Sequence, residues 1–69
     1  MSSTLVVVHP VIVVVGRPYR QVDINGHPAG VAERPSDVLR LCREHGYEEV
    51  DLDDPAQVTW QGGDSDTWS

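Results

Sequence analysis

Apolar positions crowd the first part of the chain. Leu5 to Val8 and Val11 to Val15 are nearly unbroken runs of β-branched residues, the side chains that suit a pleated, half-buried surface. Pro10 lies between them and has no amide N–H, so it marks an edge, a bulge or a break in a strand. Gly16-Arg17-Pro18 reads as a turn. From Tyr19 to Ile24 the pattern alternates, with Val22 and Ile24 on one side and Gln21 and Asp23 on the other. Asn25-Gly26 follows, two residues that tolerate the positive φ of a type I′ hairpin turn. The return strand is predicted over 27–32, with Pro28 placing it at a sheet edge.

After Pro35 the period lengthens. Val38, Leu41, Cys42 and His45 recur at i, i+3, i+4 and i+7, and Leu39 widens the stripe, which predicts an amphipathic helix. Ser36 is its expected N-cap, and Asp37 suits the positive end of the dipole. Gly46 is placed to end it as a left-handed cap, with Tyr47 folding back on Cys42. Alternation then resumes over 49–52 with Val50 and Leu52 inward, Asp53-Asp54-Pro55-Ala56 turns the chain, and Val58 and Trp60 make a last short strand. The predicted order is β-β-β-α-β-β. It is an α+β fold, a small mixed but mainly antiparallel sheet with one helix on one face. Residues 1–60 form the expected domain, and 61–69 an acidic tail expected to be mobile.

That order has a consequence for partners. Val13, Val14 and Val15 are consecutive, so in a strand their side chains alternate between both faces. One helix covers one face. The other needs the tail, a second copy or another protein, because an exposed apolar strand invites aggregation. Val11, Val13 and Val15 are therefore the candidate partner-binding seam, with Trp60 and Trp68 as candidate anchors, since tryptophan is enriched among interface hot spots.

Charge refines this reading. Residues 1–43 carry five arginines against Asp23, Glu33 and Asp37, a balance of +2; residues 44–69 carry eight carboxylates and no cation, a balance of −8, for a net charge of −6. Such a field opposes nucleic acid and anionic membrane and favours solubility or a basic partner. An alternative uses Arg17, Tyr19, Arg20, Arg40 and Arg43 as an arginine and aromatic face for RNA or the ribosome. The chain has no lysine and no phenylalanine, a usage that points to a high-GC bacterial or phage genome. Absence of lysine also excludes Schiff-base chemistry and a P-loop.

The remaining chemistry is sparse. Cys42 is the single cysteine, so no disulfide forms within the chain, and a reduced thiol suits a cytoplasmic setting. Cys42 and His45 have C-x-x-H spacing, but tetrahedral zinc would need His9 and His27 from distant strands, and no metal or other cofactor is expected. Asp51, Asp53 and Asp54, like Asp64 and Asp66, lack the central glycine and distal glutamate of a calcium loop. No serine sits in a nucleophile elbow, and a chain of 69 residues struggles to enclose a substrate pocket, so catalysis is not expected. Met1 to Thr4 has no basic residue and His9-Pro10 interrupts the apolar stretch, which argues against a signal peptide. The longest apolar run, Val11 to Val15, is far below the roughly 20 residues of a membrane span.

Asp23-x-Asn25-Gly26-x-x-x-Gly30-Val31, the helix ending at Gly46, and Val50-Asp51-Leu52 resemble in order and spacing the N-terminal domain of bacterial translation initiation factor 3. The resemblance spans about residues 19–52 and implies a hairpin, a helix and a following strand in that order. The family's later proline-, cysteine- and lysine-bearing segment is here Asp53 to Trp60, without a cation for phosphate, so RNA binding is not carried over. The expectation is a non-enzymatic, regulatory or phage-encoded module of the cytoplasm that binds itself or another protein.

Overall fold

A computed structural model describes residues 4–68. The chain runs β1 (Val6–Val14), β2 (Arg17–Ile24), β3 (His27–Ala32), α1 (Pro35–Glu44) and β4 (Val58–Trp60). The strands form one sheet in the order β3-β2-β1-β4, with β1 antiparallel to β2 and parallel to β4. The expected α+β class holds: a small mixed sheet and one helix.

β1 is continuous through the proline. Val8 pairs with Val22 and Val11 with Arg20, so His9 and Pro10 together oppose Gln21 in a β-bulge. On one face Val6, Val8, Val22 and Ile24 meet Val38, Leu41 and Cys42 of α1, with Ala32 and Val58 completing the core. Each fully buried valine there contributes about 1.5–3 kcal/mol of transfer free energy, a large share for a domain with so few buried side chains. The Asn25-Gly26 turn forms as predicted, both residues at positive φ. Its neighbour does not follow the predicted boundaries. The β1–β2 loop is Val15-Gly16, with φ of 52° and 73°, so Val15 is a turn residue and Arg17 and Pro18 already belong to β2.

Two further expectations are corrected. Ser36 does not cap the helix. Pro35 occupies the first turn, where its missing N–H costs nothing, and Arg34 takes the cap position without a side-chain bond. Asp37 reaches back instead, its carboxylate accepting the Glu33 N–H at 3.0 Å. At the other end the helix stops at Glu44, leaving His45 exposed at the cap with its Nδ1 2.9 Å from Leu41 O. Gly46 and Tyr47 close the helix through Gly46 N–H to Arg43 O (3.0 Å) and Tyr47 N–H to Cys42 O (2.8 Å), the paired bonds of a Schellman cap. The second correction is the strand predicted over 49–52, which does not form. The edge of β1 that it would need is taken by β4, and Asp51 and Asp54 commit the segment to turns. Asp51 Oδ1 accepts Asp53 N–H at 3.0 Å, and Asp54 Oδ1 accepts Ala56 N–H at 2.9 Å. Val50 and Leu52 still reach the core as half-buried packing residues.

Candidate interaction surface

The pairing of the outer strands divides the β1–β2 hairpin in two. β4 accompanies β1 only from Val6 to Val8, and β3 accompanies β2 only from Ile24 back to Arg20. Beyond those points Val11–Val14 and Arg17–Tyr19 pair only with each other among the described residues. This distal arm contributes to an elongated outline of 35 × 22 × 19 Å.

The arm is apolar on both faces. Strand alternation puts Ile12, Val14, Arg17 and Tyr19 on the face away from α1, and Val11, Val13, Pro18 and Arg20 on the other. Ile12 and Val14 are exposed, Val13 is 60% exposed, and Val15 at the tip is 95% exposed. Val31 of β3, opposite Gln21, extends the open face. Val15 combines this exposure with a left-handed backbone, a conformation costing a β-branched residue about 1–2 kcal/mol. The other hairpin uses asparagine at the equivalent place, where the same φ is tolerated.

The base of the arm rests on a buried cation. Arg20 is 0% exposed. Its Nε donates to His9 O (2.7 Å), Nη1 to Asp64 O (3.0 Å) and Thr67 O (2.8 Å), and Nη2 to Gln61 O (2.7 Å). The guanidinium also lies 5.2 Å from the Trp60 ring centroid and 5.5 Å from that of Trp68, and the two rings meet edge to face at 6.0 Å. Burial pulls the Arg20 pKa down, and the Asp64 charge opposes that shift. The guanidinium stays protonated, since arginine does not lose its proton in proteins. Asp64 itself is held below its ordinary range, chiefly by the Asp66 N–H and then the Thr67 hydroxyl. Residues 61–68 thus wrap around one side chain, and Gly62 sits so near the bulge that a methyl group on it would fall 2.7 Å from Pro10 Cβ.

The candidate residues are distributed as follows. Of the seam, Val11 is half-buried, Val13 is exposed on the strand and Val15 is in the turn, so the three do not form one continuous row; Ile12 and Val14 are the additional exposed side chains. Trp60 and Trp68 are half-buried, their indole N–H groups donating to Leu52 O (3.0 Å) and Ser65 O (2.7 Å). Of the arginine face, Arg40 and Arg43 are exposed on α1, Arg17 lies on the arm beside half-buried Tyr19, and Arg20 is withdrawn into the interior. Arg17 shares a shallow depression with Glu33 and Arg34 rather than with the helix arginines. Cys42 is buried, which pushes its thiol pKa up. His9 pairs with Asp23 at 2.8 Å, while His27 is exposed at the far hairpin turn. The role of Arg20 was not read from the sequence, although it shares the inward parity of Val22 and Ile24.

Among the described residues no helix is long and apolar enough to cross a membrane. Comparison with protein-family models, with curated proteins and with solved structures finds no match to this chain.

Proposed function

We propose that this chain is a non-enzymatic interaction module that binds protein, its own copy or another, through the distal arm of the β1–β2 hairpin. The observation that carries the reading is the tip. A valine stands in a left-handed turn position that asparagine or glycine would occupy without strain, and its side chain is almost wholly in water. The strain counts against folding, the exposed side chain contributes no burial to offset it, and entry of that side chain into a partner would supply the missing burial. In this reading Ile12, Val13, Val14 and Val15 are the contact residues. Trp60 and Trp68 hold the base of the arm through Arg20 rather than reaching a partner.

Replacing Val14 and, separately, Glu49 by a photo-crosslinking amino acid in the host cell tests this. A protein adduct, to a second copy or to another chain, is expected from position 14 and not from the acidic segment at 49. Absence of any adduct from position 14 sinks the reading.

A further inference from the structure

Parallel pairing with β1 turns alternate residues of β4 toward it. Val6 N–H bonds Gln57 O and Gln61 N–H bonds Val8 O, both at 2.9 Å, so Thr59 between them faces β1 with both main-chain groups. Val58 and Trp60 direct theirs to the outer side. The Val58 N–H is used there by Asp54 O at 3.0 Å. The Val58 C=O and the N–H and C=O of Trp60 have no partner among the described residues. Open main-chain groups also occur on β1 beyond Val8 and on β3 at Val31, so an open edge by itself selects no occupant. The surroundings of the β4 edge do select one. Val58 to Trp60 line a cleft of about 420 Å³ together with Leu52, Asp53 and Pro55 from the turn before β4 and Asp64 from the segment after it. The Asp53 carboxylate makes no hydrogen bond among the described residues, and Asp64 uses only its Oδ1, for the Asp66 N–H and the Thr67 hydroxyl. Neither acid forms an ion pair; the pairs among the described residues are His9–Asp23 and Arg34–Asp37.

We propose that the outer edge of β4 takes an extended segment of another protein that carries lysine or arginine at alternate positions. Its main chain pairs with Trp60 and Val58, and its cations meet Asp53 and Asp64. Strand addition of this kind draws affinity from main-chain bonds and selectivity from every second side chain. The apolar surfaces of Leu52 and Pro55 suit the hydrocarbon stems of such side chains. Charge sets the sign of the partner, because residues 44–69 hold eight carboxylates and neither lysine nor arginine. A second copy of this chain does not meet the requirement. No two of its five arginines stand at alternate positions, Arg20 is buried, and Arg40 and Arg43 belong to α1. The surface is separate from the arm of the β1–β2 hairpin, and Glu49 does not line it.

The probe is a capped hexapeptide alternating valine and lysine, titrated into the isotope-labelled full chain at low salt. Saturable resonance shifts are expected over residues 58–61, with slower exchange of the Trp60 amide proton. Two N-methylated versions separate main-chain pairing from stickiness, one methylated on the valine amides and the other on the lysine amides. Only the amides of one set face β4 in a strand, so one version and not both should bind about 10-fold more weakly. Asp53→Asn removes a carboxylate that holds nothing within the chain, and should weaken binding about 3-fold. A counterpart peptide with glutamate in place of lysine should not bind. The proposal is overturned by no saturation up to millimolar peptide, by shifts confined to Ile12–Val15, or by a glutamate peptide that binds as well. It is equally overturned if both N-methylated versions, or Asp53→Asn, match the parent. None of these results affects a crosslink from position 14, so failure here is distinguishable from failure of the arm.

Discussion

Val6–Val8 and Val11–Val14 are halves of one strand with nearly the same side chains and opposite fates. The first half has β2 on one side, β4 on the other and α1 beneath, and Val6 and Val8 are fully buried. The second half has β2 alone, and Ile12, Val13 and Val14 are exposed. Two residues, His9 and Pro10, separate them. Hydrophobicity of a strand therefore does not decide its burial; the lengths of its neighbours do. A domain this small has enough helix to cover one end of its sheet. The other end is given to Arg20 and residues 61–68, and the arm beyond receives no cover.

The sharpest way to break this contrast is to remove the residue at the junction. Arg20→Ala leaves four carbonyls without their donor and releases residues 61–68 from the sheet. The expected loss is about 3 kcal/mol, from lost charge-assisted hydrogen bonds and lost packing on the two tryptophans, read as a shift of the denaturant midpoint. A loss below 1 kcal/mol would mean that the wrap around Arg20 is incidental. Matched truncations give the next largest effect. Val8→Ala should cost about 2 kcal/mol through lost burial and a residual cavity, whereas Val14→Ala should stay within about 0.5 kcal/mol. Equal costs would show that the arm is as well packed in solution as the core. The smallest effect has the opposite sign. Val15→Gly removes a strained conformation and should raise the melting temperature, by about 1 kcal/mol of stability, while reducing apolar area at the tip. No stabilisation would mean that Val15 leaves the left-handed region in solution.

Local features were legible where one or two residues settle the geometry. Asn25-Gly26 fixes its turn because both residues accept positive φ, and Gly46 fixes the helix end for the same reason. The stripe of Val38, Leu41 and Cys42 specified the buried face of α1 because helical periodicity is a property of the segment itself. Segments whose state depends on competition were less legible. The 49–52 region has strand alternation, but its place beside β1 goes to β4, and nearby aspartates offer the backbone turns instead. Val15 looks like the last residue of a strand run, yet a two-residue loop ending in Gly16 makes it a turn residue.

The candidate surface shows the same division. The excess of valine over what one helix can cover was present in the sequence, and it announced that some apolar strand would be left without cover. Which residues those are depended on where β3 and β4 stop pairing, a matter of long-range contacts that no local window contains. Arg20 carried a parity signal in its spacing from Val22 and Ile24, but a buried arginine is stable only where acceptors converge on it. Those acceptors come from His9, Gln61, Asp64 and Thr67, as many as 47 positions away in the chain. The sequence by itself determined the turns, the helix and the total of apolar surface, because each follows from backbone preference or composition. Only the tertiary structure decided which half of β1 is buried and which arginine is interior, because both depend on partners brought together by folding.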